Sequence, residues 1–372
     1  MFETEIEKIL AKVETIDPIE YGKTRNFLDG AVTQLSPYIS RGVISTRYVL
    51  DSLLKKGYKY YEIERLAMEL AWRDYFQNVW INFDIDEDLL EPQTDVENNE
   101  MPKAVLEAAT GIEAIDKGIN DLYEMGYVHN HVRMYIASIA TNIGKSHWNI
   151  PAKWFYYHLL DADWASNACS WQWVAGAFSK KKYYANQENI NKFCDTDQSG
   201  TFLDTAYENL PEMPIPKVLK ETEIPELKTV LPEVERFEID NSKPTFIYNF
   251  YNLDPFWHKG ETGVNRILLL EPSHFEKYPV SSKAIDFLLK LAENIDGIRT
   301  YVGEFDELVT EYTLSEIHFK EHPTNLHYKG NKENRDWMFP EVTDVSGSFF
   351  RYWRKCEKLL KLQINKIKKE SK

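Results

Sequence analysis

Asp161-Ala162-Asp163-Trp164-Ala165-Ser166-Asn167-Ala168-Cys169-Ser170-Trp171-Gln172-Trp173 is the stretch on which the reading of this chain turns. Asp161 and Asp163 precede a segment, Trp164 to Phe178, that is patterned as a helix. Asn167 and Trp171 are four residues apart, so they share one face of it. A polar amide beside a redox-capable indole, with acids at the helix start, suits a flat aromatic cofactor that carries electrons. The same residues also describe an N-capped core helix with packed indoles. Taken alone, the run leaves both readings open.

The surrounding 372 residues imply two or three domains. Aromatic residues make up 14 %, with 10 Trp and 22 Tyr, enough to pack a large core and to line a flat ligand. A net charge of −15 disfavours generic binding to nucleic acid or anionic membrane but says nothing of a local basic patch. Cys169, Cys194 and Cys356 are too far apart for a zinc or iron–sulfur set or a disulfide framework. With no signal-like start and no apolar run of membrane-spanning length, a cytoplasmic location is expected.

Helical periodicity dominates as far as about residue 194. It covers Glu3–Val13, Ser45–Lys56, Glu62–Ile81, Thr110–Met125, Tyr127–Gly144, Pro151–Leu160 and Trp164–Phe178. Residues 195–244 are acidic and carry Pro211, Pro214, Pro216, Pro225 and Pro232, as a linker or wrapping segment would. From 245 onward the pattern becomes strand-like at Thr245–Tyr251, Arg266–Glu271, Arg299–Gly303 and Ile317–Lys320, with a helix at Ser281–Ile295. That alternation predicts a small α/β, Rossmann-like domain. Phe349–Lys369 closes the chain as an amphipathic helix. Its lysine-rich end reads as a solvated face, with a partner-binding tail as the alternative. The expected fold class is multidomain, α and α/β: a helical domain (1–194), a Pro-rich acidic linker (195–244) and the α/β domain (245–372).

Four further motifs stand in order before the opening run. The first joins Tyr21 and Arg25 to Gly30-Ala-Val-Thr33-Gln-Leu35-Ser36-Pro37-Tyr38-Ile39 and Gly42-Val-Ile-Ser45-Thr-Arg47. The second is Glu69-Leu-Ala-Trp72-Arg73-Asp74-Tyr75. The third is Gly126-Tyr-Val-His-Asn130-His-Val-Arg133-Met134, and the fourth is Trp148. Their order and spacing, from Tyr21 to Trp173, resemble the FAD-binding helical domain of the photolyase/cryptochrome family. The likeness is greatest to the microbial enzymes that repair cyclobutane pyrimidine dimers.

The resemblance implies FAD as cofactor, held by Tyr21, Thr33, Leu35, Ser36, Arg73, Asn130, Arg133, Asp161, Asp163 and Asn167. Hydroxyls and backbone N–H groups at Thr33, Leu35 and Ser36, with the fixed charge of Arg73, suit a pyrophosphate. Arg133, Asp161, Asp163 and Asn167 suit the polar edge of a flavin. It further implies that Glu69, Trp72, Asn130, Met134 and Trp173 take a flipped dimer from UV-damaged DNA. Trp171 and Trp148 would pass electrons. A third tryptophan of such a chain would fall near Asp95, where none stands; Trp80, Trp154 or a tyrosine are the substitutes. Lys180, Lys181 and Lys182 form a basic cluster suited to phosphates or to a solvated loop. His129 and His131 lack the spacing of a metal pair and, two apart on a helix, are expected to point away from each other.

In this family the α/β antenna domain comes first; here the α/β segment follows, so a rearranged or reduced photolyase is expected. Any second antenna chromophore is undetermined by the sequence. The expectation is a blue-light-driven photolyase acting on cyclobutane dimers. The alternative is a cryptochrome-like flavin photoreceptor that signals through a protein partner.

Overall fold

The computed structural model describes residues 2–370 and divides them into two compact units that interleave in sequence. Among the described residues, one unit comprises 2–18, 33–81 and 228–370; the other comprises 19–32 and 82–227.

The first unit is built on a five-stranded, wholly parallel sheet: β1 (Thr245–Tyr248), β2 (Asn265–Leu270), β3 (Ile298–Val302), β4 (Ile317–Lys320) and β5 (Asn331–Glu333). Its spatial order is β3-β2-β1-β4-β5, so the chain reverses direction across the sheet between β1 and β4. The central strand β1 places Ile247 opposite Ile267 on one side and Phe319 on the other. All four of its residues are buried, as a parallel strand covered on both faces requires. Ile247, Ile267, Leu269 and Phe319 form one core with Phe305 and Leu308 of the Phe305–Tyr312 helix. The α/β part expected from the sequence is therefore present: the first strand is three residues shorter than its apolar run, and the other three have the expected length, two of them displaced by one residue. The edge strand Asn331–Glu333 has no apolar period to announce it. It forms because Phe319 offers Lys332 a backbone partner.

Helices complete this unit: Ile6–Glu14, Thr46–Lys55, Tyr60–Asn82 and the closing Phe349–Glu370. Gly42 has φ of +68°, and a side chain there would meet Tyr251 O at 2.7 Å. Glycine at this motif position lets the loop after β1 lie against it, where Leu253 N donates to Arg41 O at 2.8 Å. Residues 335–349 run along the Tyr60–Asn82 helix. Arg335 donates to Gln77 Oε1 (2.6 Å), Met338 N to Asp74 (2.9 Å), and Tyr75 OH to Gly347 O (2.9 Å).

The second unit is helical: Glu113–Met125, Asn130–Ser138, Asn149–His158, Trp164–Ala175 and Gln187–Cys194. The expected single helix Tyr127–Gly144 is shorter and ends differently. His129 is its N-cap, and Ile139–Ile143 is a π turn. The wide turn arises because Ser138 and Asn142 bond outward: Ser138 Oγ donates to Tyr183 O, and Asn142 Nδ2 to Val174 O and Tyr183 O. The first part of the proline-rich segment is tied to this unit, because Thr222–Glu223 pairs antiparallel with Met101–Pro102.

Candidate functional site

The Trp164–Ala175 helix organises the candidate residues within the second unit. Asp163 is its N-cap, accepting from Ser166 N (3.2 Å) and Ser166 Oγ (2.9 Å). Two residues earlier, Asp161 is buried and paired with Arg133 Nη1 at 3.0 Å. Arg133 is aimed by a second bond, Nε to Val128 O at 2.8 Å. This places the guanidinium 5.6 Å from the Tyr127 ring and 6.0 Å from the Phe155 ring. Phe155 in turn lies 5.8 Å from Trp171. Arg133, Asp161 and Trp171 therefore belong to one contiguous cluster.

Gly126 makes this approach possible. Its φ is +67°, and a side chain would meet Leu160 Cγ at 2.7 Å. Its carbonyl accepts from Leu160 N at 2.9 Å, next to Asp161.

Asn167 is buried one turn into the helix, and its Nδ2 donates to Ala152 O at 2.7 Å. That bond fixes the amide, leaving Oδ1 as the acceptor for a ligand N–H. A buried Arg–Asp pair, an oriented amide oxygen and adjoining aromatic rings are a donor and acceptor set that fits the polar edge and flat rings of a flavin. Tyr21 belongs to the same unit, on the Pro18–Thr24 helix, and is partly buried.

Asn130 is exposed at the first turn of its helix, with Nδ2 3.8 Å from Met134 Sδ. Trp173 is 38 % exposed and 5.9 Å from the Tyr183 ring. Asn130 and Met134 thus share one helix face; Trp173 stands on a different helix, with its indole open to solvent. His129 and His131 do not diverge: their rings stack at 6.1 Å, because the cap position lies outside the helix. Burial pushes the His131 pKa down to about 4, helped by nearby His129 and Arg25.

The feature that the motifs did not disclose is Gln172. It is fully buried between Trp171 and Trp173. Its Nε2 donates to Ile85 O (3.0 Å) and Glu87 O (3.1 Å), and its Oε1 accepts from Leu89 N (2.9 Å). The loop so clamped presents two carboxylates to two buried indoles. Asp88 accepts from Trp148 Nε1 at 2.6 Å, and Asp86 from Trp164 Nε1 at 2.8 Å. Alternating acids in Asp84-Ile-Asp86-Glu-Asp88 were the only hint in the sequence.

Asp95, at the place of the absent third tryptophan, pairs with Lys182 at 3.0 Å. Lys182 also donates to Thr94 O, and its side chain is 13 % exposed. It is a loop clamp rather than a hand for phosphates, leaving Lys180 and Lys181 exposed. Of the substitute carriers, Trp154 donates to Tyr123 OH at 3.2 Å in this unit. Trp80 belongs to the other unit and packs against Tyr251, Tyr278 and His322.

The first unit carries the remaining expected residues. Glu69, Trp72 and Arg73 lie on the Tyr60–Asn82 helix, three and four residues apart and therefore on one face. Thr33 and Leu35 precede the short Ser36–Ser40 helix; Leu35 is buried, and its N–H reaches Thr33 Oγ1 at 3.4 Å. Trp72 does not present both indole faces to solvent. Phe349 stacks on it at 3.5 Å between ring centroids, with the planes 11° apart.

Comparison with known proteins agrees with this chemistry. Residues 66–250, just under half of the chain, match the family described as the FAD binding domain of DNA photolyase. Cryptochrome DASH of Danio rerio is 29 % identical over 201 residues, covering 49 % of this chain and 37 % of that protein. The deoxyribodipyrimidine photo-lyase of Agrobacterium fabrum is 32 % identical over 154 residues, 40 % of this chain and 32 % of that enzyme. The matches thus span well under half the length of these relatives. Among solved structures, the archaeal photolyase from Sulfolobus tokodaii with two FAD molecules is 24 % identical, with a TM-score of 0.44 over 52 % of this chain and 45 % of that one. Residues 66–250 of this chain are thus similar to the FAD binding domain of DNA photolyase, a likeness that extends to enzymes named photo-lyase and to cryptochrome DASH.

Proposed function

We propose that the protein is an FAD-dependent, blue-light-driven DNA photolyase that splits cyclobutane pyrimidine dimers. The observation that carries this reading is the buried Arg133–Asp161 pair together with the oriented Asn167 amide, inside the matched residues 66–250. When bound, reduced FAD would supply one electron to the dimer on illumination and take it back after the ring opens.

The chain's own residues would do the rest. Arg133 and Asp161 hold the polar edge of the flavin, and Asp163 supports them by fixing the helix start. Asn167 Oδ1 accepts a flavin N–H. Tyr21, Thr33, Leu35, Ser36 and Arg73 bind the remainder of the dinucleotide, the last by fixed positive charge. Glu69 and Asn130 hydrogen-bond the base edges and stabilise charge developing there. Trp72, Met134 and Trp173 provide apolar walls, and Asn130 also contacts the cofactor. Trp171 and Trp148 conduct electrons during photoreduction. UV-damaged DNA is the proposed partner. Among the described residues, no helix is long and apolar enough to cross a membrane.

The photoreceptor reading is favoured by one specific observation, the stacking of Phe349 over a face of Trp72. Repair of a dimer-containing oligonucleotide by chemically reduced protein under blue light separates the two. Light-dependent repair is expected. Protein that binds and reduces FAD yet repairs nothing would refute the photolyase and leave the photoreceptor; protein that takes up no flavin would refute both.

A further inference from the structure

The most basic of the described helices is Phe349–Glu370. It carries eight lysines and arginines against two glutamates, in a chain whose net charge is −15. Its inner face is apolar and buried: Phe349, Tyr352, Trp353, Cys356, Leu360 and Ile364. Its outer face includes Arg354, Lys358 and Lys361, spaced four and three residues apart. They line a shallow groove of about 350 Å³ with Glu357, Leu362 and Asn365. Lys355 is held by Asp344 at 2.7 Å, and Lys361 by Glu357 at 2.6 Å. Among the described residues, Arg354 and Lys358 make no ion pair, and both are exposed.

We propose that this face binds the phosphate backbone of DNA. The inference rests on the reading of the chain as a DNA photolyase, and it names the surface by which so acidic a protein would engage its substrate. From Arg354 to Lys361 the helix rises about 10 Å, which spans roughly three phosphates of one strand. An acidic protein partner fits less well. Protein interfaces have a core depleted of charge, whereas this groove has one exposed aliphatic side chain, Leu362, among charges.

The helix is also joined to the proposed substrate residues inside the same unit. Phe349, at its start, stacks on Trp72. Two turns beyond, Glu357 accepts from Tyr60 OH at 2.7 Å, and Lys361 lies 4.3 Å from the Tyr60 ring. The helix that carries Glu69 and Trp72 is thereby the one against which the basic helix is seated.

The test is binding of a single-stranded oligonucleotide, undamaged or containing one dimer, across a salt series. Full-length wild type is compared with Arg354→Gln/Lys358→Gln, two exposed substitutions outside the proposed catalytic residues. Losing two phosphate contacts should lower the slope of log affinity against log salt by about 1.4, with equal effect on undamaged and dimer-containing strands. Light-driven repair of a dimer dinucleotide, which has no flanking phosphates to offer, should be unchanged. Coincident salt curves for variant and wild type would overturn the proposal, and if light-driven repair persists the photolyase reading survives it. A wild type that binds neither strand at any salt would also overturn it, and dinucleotide repair would then judge the photolyase reading independently. Loss of dinucleotide repair together with unchanged salt curves would place the two side chains elsewhere in the protein's workings and overturn the assignment.

Discussion

Replacing Gln172 by alanine should loosen the loop that positions Trp148 while leaving the surrounding helix intact. The substitution deletes one acceptor and one amide that serves two carbonyls, so Ile85 O, Glu87 O and Leu89 N lose their partner together. Each group left without a partner costs about 1–3 kcal/mol when buried. The bonds to Glu87 and Leu89 are only partly buried, so water can replace some of the loss. The low end of the range applies, giving about 3 kcal/mol for the three. Because the chain has two compact units, a single global unfolding midpoint would blur this effect. Hydrogen exchange resolves it. The reporters are the Trp148 indole N–H and the Gln93 amide, which donate to the two oxygens of Asp88 at 2.6 and 2.9 Å. A local loss of about 3 kcal/mol corresponds to exchange roughly a hundredfold faster at both. Gln172→Glu should not rescue them, since a carboxylate keeps the bond from Leu89 N but faces two carbonyl oxygens. Exchange within threefold of wild type at both reporters in the alanine variant would refute the clamp.

Further outcomes follow from other contacts. Arg133→Met strands the buried Asp161 carboxylate and should cost about 3 kcal/mol; chemical denaturation followed by flavin absorbance should show weakened FAD retention, with partial recovery in Arg133→Met/Asp161→Asn. Burial raises the Asp74 pKa to about 6, against the opposing bonds from Met338 N and Thr46. The folded state therefore holds this proton more tightly than the unfolded chain does. Stability from this group is full below about pH 4 and falls by up to about 3 kcal/mol as pH rises through 6. Denaturation between pH 4 and 7 should show that slope, flattened in Asp74→Asn. Trp171→Phe should slow photoreduction while sparing repair by chemically reduced protein; loss of FAD from that variant would make the indole a packing residue. Glu69→Gln should keep FAD and lower repair yield, measured as dimers split per photon absorbed.

Much of the fold could be read from periodicity because its long elements have one apolar face. The Glu113–Met125 helix buries Ile115, Ile119 and Leu122 along the stripe that the sequence displays. The central strand at Thr245 is legible for a different reason, an unbroken apolar run covered on both faces. What escaped was set by partners distant in sequence. The π turn at Ile139 exists because Asn142 bonds Tyr183 and Val174, thirty to forty residues away. The edge strand at Asn331 exists because a neighbour supplies its ladder. At the candidate site, Arg133, Asp161, Asp163 and Asn167 were legible as a motif, and the Arg133–Asp161 pairing is present. Gln172 and the acids it serves were not, since its three partners lie more than eighty residues earlier and carry no signature of their own. The stack of Phe349 on Trp72 was equally hidden, for it joins positions 277 residues apart through two apolar rings.

That stack has a thermodynamic corollary. One indole face of Trp72 is already spent on a ring that begins the basic helix, so a planar ligand reaching for that face must compete with Phe349. Two equilibria, seating of the helix and occupancy of the indole, then share one surface. By linkage, whatever biases one biases the other by the same factor in the opposite direction. Anions that draw the helix away from the Trp72 face would raise its affinity for a base, and a base held there would make the helix easier to draw away.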